Sequence, residues 1–173
     1  KIFNKLKEKT KNYSNIEIIN SGAGENNEKK FLNINIESSS SSINELRTTS
    51  SYYRKKFFLH NNFKGKVIKE KIFINLIKLD DFIDNSKITK IDLLKIDTEG
   101  FEYFVLKGAH KHLKNINVIY FEHHFDNMII KNYNLTDIHN FLSLNNFKKV
   151  FKIKMKFRKS FEYIYVNKKI LIK

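Results

Sequence analysis

The clearest order along this chain is the spacing of its apolar residues. Ile2, Phe3 and Leu6 recur at helical spacing among lysines, so the chain is expected to open inside an amphipathic helix. Tyr13-Ser14-Asn15 ends that pattern, and Ile16-Glu17-Ile18-Ile19 reads as a strand. Ser21-Gly22-Ala23-Gly24 follows as a loop whose glycines let a backbone approach a ligand closely. Leu32, Ile34 and Ile36 alternate with Asn33, Asn35 and Glu37, the period of a half-buried strand, and Ile72, Ile74 and Leu76 repeat the alternation. Between them, the serine run 38–42 and the polar stretch to Lys66 form a long irregular connection. Tyr52-Tyr53-Arg54-Lys55-Lys56 within it reads as a solvated loop.

The second half is more regular. Leu79-Asp80-Asp81-Phe82-Ile83 starts a short helix. Residues 91–96 are nearly all apolar, as expected of a parallel strand covered on both faces. Phe101, Phe104, Val105, Ala109 and Leu113 form one helical stripe, with Glu102, Lys107 and Lys111 outside it. Val118-Ile119-Tyr120-Phe121-Glu122 is a second buried strand. Leu135, Ile138, Phe141 and Leu142 mark another helix, closed by Asn145-Asn146. At the end Phe151, Ile153, Met155 and Phe157 alternate with Lys152, Lys154, Lys156 and Arg158, and residues 161–166 supply the partner strand of an antiparallel hairpin. Its lysine row is expected to protect a sheet edge from aggregation.

Composition narrows the class. With 173 residues, 41% hydrophobic and 14% aromatic, the chain is long enough for a real core and is not a disordered chain. No apolar run reaches the roughly 18 residues of a membrane helix, and no secretory leader is visible, so a cytoplasmic location is expected. There is no cysteine, which excludes disulfides and thiolate metal sites. The net charge of +15 raises nucleic acid as a partner. Nearly all of it is lysine, however, with only Arg47, Arg54 and Arg158 to make bidentate contacts, and the lysine, asparagine, isoleucine and phenylalanine excess looks like a genome-wide bias. That argues against nucleic acid as the main partner.

Leu93-Leu94-Lys95-Ile96-Asp97-Thr98-Glu99-Gly100-Phe101-Glu102 closely resembles the LLK-I-D-x-E-G-x-E signature of FkbM-type methyltransferases. The match extends to Val105-Leu106-Lys107-Gly108-Ala109, to the Leu79-Asp80-Asp81-Phe82 element, and to Glu122-His123, where that family carries a similar pair. The resemblance implies an α/β fold, the Rossmann-like sheet of class I methyltransferases with an antiparallel terminal hairpin. It implies S-adenosylmethionine as cofactor and transfer of a methyl group to a hydroxyl of a sugar, glycan, lipid or secondary metabolite. The family begins with a glycine-rich strand-loop-helix that holds the methionine part of the cofactor, and neither it nor the acid-tipped strand after it is found here. Residues 1–173 are therefore expected to be one partial domain, the C-terminal portion, lacking at least one βαβ unit of roughly 30 residues and inactive by itself. The segment near Ile16 is then expected not to pair with the strand 91–96. An inactive remnant and a basic protein binding anionic surfaces stand as the other readings.

Methyl transfer to a hydroxyl needs alignment and a destination for the hydroxyl proton. Asp97 and Glu122 end neighbouring strands and are expected to project into one crevice outside the carboxyl ends of the sheet. Asp97 could orient the acceptor, act as base, touch the cofactor or ligate a metal; it or Thr98 could equally cap the next helix. Lys95, on the same strand face, could pair with Asp97 and hold it ionised. The resemblance lends Glu99 and Glu102 a site role, although Glu102 could instead favour the helix N-terminus through the dipole. Gly22, Ala23 and Gly24 are the cofactor-side candidates. Asp97, Glu122 and His124 are the candidates for a divalent cation. His60, His110, His112 and His139 show no convergence.

Overall fold

The computed structural model describes residues 2–35, 41–51, 53–55, 68–156 and 159–171. Ile36, Glu37, Ser38, Tyr52, Lys56, His60, Phe157 and Arg158, which entered the reading above, lie outside them. Two sheets organise the described residues. In the first, β2 (Glu28–Asn35) pairs antiparallel with the long β3 (Ile68–Lys78), and β1 (Gly22–Gly24) pairs parallel with the end of β3. The second has the order β4 (Ile91–Ile96), β5 (Ile116–His124), β7 (Ser160–Asn167), β6 (Phe147–Lys154), with β4 and β5 parallel and the terminal hairpin antiparallel. Helix α1 (Ile2–Thr10) precedes both sheets and buries none of its residues. Helix α2 (Leu79–Asn85) follows β3 directly, α3 (Glu102–Gly108) follows β4, and α4 (Leu135–Leu144) leads into the hairpin.

The alternating pattern becomes a one-sided core. Ile96, Ile119, Phe121, Tyr163 and Tyr165 point to the face packed by Val105 and Leu106 of α3 and Ile138 and Leu142 of α4. Helix α4 starts where Asn134 accepts hydrogen bonds from the Thr136 and Asp137 amides and Asp137 accepts one from Asn134, a reciprocal cap. It ends, as read from the sequence, with Asn146 in the left-handed conformation at φ 66°. Among the described residues no helix is long and apolar enough to cross a membrane.

Several expectations are corrected. Residues 16–19 form no strand: Ile16 and Ile19 are exposed and among the described residues no ladder partner lies beside them. The strand is instead Gly22–Gly24, expected as a loop, because β3 offers it Leu76, Ile77 and Lys78 as partners. No ladder joins the segment near Ile16 to β4 among the described residues, as anticipated. In β2 the faces are reversed. Asn33 and Asn35 are buried, because residues near Ser42 fold back on that face: Asn33 and Ser42 exchange backbone hydrogen bonds, and the Asn33 side-chain amide donates to the Asn44 carbonyl at 3.1 Å. Strand β4 is covered on one face only and leaves Leu93 56% exposed. The helix after Gly100 does not run unbroken to Leu113. It stops at Gly108 and tightens into a 3₁₀ helix over His110–Asn115, whose first amides are met by buried Asp80.

Candidate active site

Register places the candidate residues at one end of the second sheet. Ile96 is opposite Phe121 in the parallel β4/β5 pair, so Asp97 and Glu122 leave neighbouring strands together. Lys95 is opposite Tyr120, and by the two-residue period Lys95, Asp97, Tyr120, Glu122 and His124 share the face turned away from the core. Glu162 of β7 joins them, paired with Glu122. The expected convergence of Asp97 with the 122–124 segment is therefore what the fold produces.

The loop after Asp97 is bent by two consecutive left-handed residues, Glu99 at φ 51° and Gly100 at φ 98°. Only glycine suits the second, because a β-carbon there would lie 2.6 Å from Ile129 Cγ2 and 2.8 Å from Asn44 Nδ2. A side-chain-bearing residue at positive φ is strained by about 1 kcal/mol or more, and surrounding contacts must hold it. Ser42 Oγ donates to the Glu99 carbonyl at 2.7 Å, and Asn44 Nδ2 donates to the Gly100 carbonyl. Glu102, expected on the outer face of its helix, is fully buried. It accepts from the Gly100 amide at 2.8 Å, Thr98 Oγ1 at 3.1 Å and the Tyr133 hydroxyl at 2.7 Å. Its work is to fix the turn, and burial together with this carboxyl pushes the Tyr133 phenol far up. The helix-cap reading of Asp97 or Thr98 is not met: α3 begins after Phe101 with no side-chain cap.

His124 ties the two strand ends together. Its Nε2 is 3.3 Å from Glu99 and 3.6 Å from Glu122, and its Nδ1 is 3.4 Å from Asp126. Burial works against the imidazolium, but the hydrogen bond to Asp126 and the charges of Glu99 and Glu122 outweigh it, and its pKa is raised. Asp126 is held below the carboxylate range: burial opposes this, and the bonds from His124 and the Met128 amide prevail. Lys95 and Asp97 lie 3.8 Å apart but are 55% and 56% exposed, so water screens the pair and it is weak. The sequence suggested a buried partner for Asp97; the open face of β4 is why it has none of that kind among the described residues. Lys95 sits 5.5 Å above the Tyr120 ring. Tyr120 is pushed up to about 12 by its hydrogen bond with Glu162, by burial, and by the charges of Glu162, Asp97 and Glu122, so its hydroxyl keeps its proton.

Gly22 and Ala23 line a cleft of about 520 Å³ that reaches Thr98 and Phe101 and is walled by Ser42, Ile43 and Ile74 among others. Its volume falls in the range of small-molecule and cofactor sites. Gly24 is buried against α3 instead. Among the described residues no three His, Asp or Glu side chains are arranged to hold a metal ion. The set Asp97, Glu122 and His124 is not one, since both ring nitrogens of His124 already face carboxylates.

Tyr120, Glu162, Asp126 and the Ser42–Asn44 contacts escaped sequence reasoning. Tyr120 stands in a run that reads as a buried strand and Glu162 in the terminal hairpin, although the two-residue spacing of Tyr120 from Glu122 marks the shared face. The serine-rich segment gave no periodic signal to place it over the Glu99 turn. Comparison with curated proteins and with solved structures returns no match. The sequence pattern of the methyltransferase FkbM domain matches residues 3–149, most of the chain. With the signature residues gathered at the ends of β4 and β5, the chain belongs to the FkbM methyltransferase family.

Proposed function

We propose that this domain transfers a methyl group from S-adenosylmethionine to a hydroxyl of a small-molecule or glycan acceptor. The observation that carries the reading is the pairing of Asp97 and Glu122 at adjacent parallel strand ends, with Thr98 linking them to the glycine-lined cleft. Ligands of open α/β sheets bind outside the carboxyl ends of the strands.

The cleft suits the cofactor chemically. Apolar side chains of Ile43, Ile74 and Phe101 offer a surface for a purine, and the Ser21 hydroxyl, with the Thr98 oxygen as a further acceptor, offers hydrogen bonds to a ribose or an amino acid end. When bound, the cofactor supplies an electrophilic methyl group on sulfur. Asp97 is assigned to the acceptor hydroxyl, accepting its proton as the oxygen attacks, since it is exposed and directly precedes Thr98 of the cleft wall. Lys95 limits the build-up of negative charge around Asp97. Glu122, held with Glu99 against the His124 ring, shapes the acceptor side. Glu102 keeps the Thr98–Gly100 turn in place.

The test is methyl transfer by the full-length protein carrying this domain, using isotope-labelled cofactor and a panel of hydroxylated acceptors. Retention of label in an acceptor, lost in Asp97→Asn, supports the reading. No binding of labelled cofactor at millimolar concentration contradicts it.

A further inference from the structure

A second concavity, about 270 Å³, opens where β5 ends and the chain turns into α4. Arg47, His123, Asp126, Ile130, Lys131 and Tyr133 contribute to its wall. His123 points to the core side of β5, is 3% exposed, and its Nδ1 is buried without a hydrogen-bond partner among the described residues. Leaving a ring nitrogen unpaired away from water costs about 1–3 kcal/mol, and such groups in native proteins call for an explanation.

The surrounding charge suggests what completes it. Burial first, then the Lys131 ammonium and His124, push His123 down to about 3, so its ring is neutral and sits among cations. The acid in the wall, Asp126, is committed: His124 Nδ1 is 3.4 Å away and the Met128 amide donates to it at 3.0 Å. Lys131 donates to the His124 carbonyl. Arg47 is exposed, and its guanidinium makes no ion pair among the described residues. The backbone of Arg47 is fixed at the mouth, its amide donating to the Met128 carbonyl at 2.7 Å. Exposed Phe125 and Ile130 give the rim an apolar character.

We propose that this pocket binds the carboxylate of an acceptor with an apolar body, the guanidinium of Arg47 taking the carboxylate and His123 donating from Nδ1. The word acceptor rests on the methyltransferase reading; the binding itself does not. A planar fork matches a carboxylate in bidentate fashion, and one buried neutral donor is too little for a phosphate dianion. The ring that links the pocket to the catalytic turn is His124, which lines the pocket and contacts Glu99.

The experiment titrates 4-hydroxybenzoate, its neutral amide 4-hydroxybenzamide, and inorganic phosphate into the full-length protein, following the imidazole nitrogens of His123 by NMR. The expected result is a saturable shift of His123 with the carboxylate, with affinity about tenfold weaker for the amide and about tenfold weaker in Arg47→Gln, the size of one hydrogen bond to a charged group. Equal binding of acid and amide, equal binding of phosphate, or no movement of His123 above about 1 mM would overturn the proposal. Labelled cofactor is measured in the same samples. Cofactor bound without a carboxylate effect removes the pocket alone. Carboxylate bound by a protein that takes no cofactor removes the acceptor role and the methyltransferase reading, while leaving an anion site.

Discussion

Gly108 of α3 sits so close to Gly24 of β1 that a β-carbon on Gly108 would lie 1.9 Å from the Gly24 carbonyl oxygen. This is where the first sheet meets the helix that follows the signature strand. The neighbour is backbone and cannot rotate aside. Gly108→Ala gains about 1 kcal/mol of helix propensity, against about 1–3 kcal/mol or more for overpacking a close contact. The clash is with backbone, so the upper end of that cost applies, and the expected outcome is a net loss of about 1–2 kcal/mol in urea denaturation, with the cleft beside Ala23 distorted. An unchanged midpoint would mean the two backbones do not meet as described.

The Glu99 turn depends on Glu102, a buried carboxyl with three donors. Tyr133→Phe removes one of them and is expected to cost about 1–3 kcal/mol. Because Tyr133 lies 31 residues from Glu102 along the chain, the variant should also loosen residues 98–100, read as faster amide exchange at Gly100. Wild-type exchange there would separate Tyr133 from the turn.

The adjacent histidines should respond to pH in opposite senses. His124 has a pKa raised above 6.5, so its stabilisation is fully present below pH 6.5 and lost as pH rises through the raised value. His123 is pushed down to about 3 from 6.5, so the unfolded chain takes up a proton that the folded one refuses. Stability is then lost as pH falls from 6.5 towards about 3. Asp126, lowered from 3.8, stabilises above that value and stops doing so as pH falls through its lowered one. Denaturation curves for His124→Gln should lose the alkaline slope, and those for His123→Gln the acid one. Ring nitrogen shifts at pH 6 should show His123 neutral and His124 protonated. The reverse pattern would refute the charge arrangement around the strand ends.

Much of the second half was legible because its elements carry their own instructions. The run 91–96, the first turns of the stripe from Phe101 to Val105 and the Asn145-Asn146 stop each act locally, and register then delivers Asp97 beside Glu122. The first half was less legible for a physical reason. Whether residues 16–19 or Gly22–Gly24 become a strand depends on which segment finds a partner, and β3 lies more than 40 residues further along. The reversed faces of β2 follow instead from Ser42 and Asn44, in a segment without any periodic signal, lying against Asn33. Glu102 misled because its helical position reads as solvent, whereas the turn before it needs a buried acceptor.

Asp97, the proposed proton acceptor, contributes little to stability, being exposed and weakly paired. Asp97→Asn should leave the denaturation midpoint within about 0.5 kcal/mol of wild type and lower methyl transfer by about 10²–10⁴-fold, the range for a lost general base. Activity within about tenfold of wild type would move the proton-accepting role elsewhere.

The most direct test maps S-adenosylmethionine onto the full-length protein by amide chemical shifts. Binding in the cleft predicts saturable shifts at Ser21, Gly22, Ala23 and Thr98, with smaller changes at Asp97 and none in the terminal hairpin beyond Glu162. Saturable shifts confined to other surfaces, or no shifts at millimolar cofactor, would contradict the assignment of this cleft and of the Asp97 end of the sheet to methyl transfer.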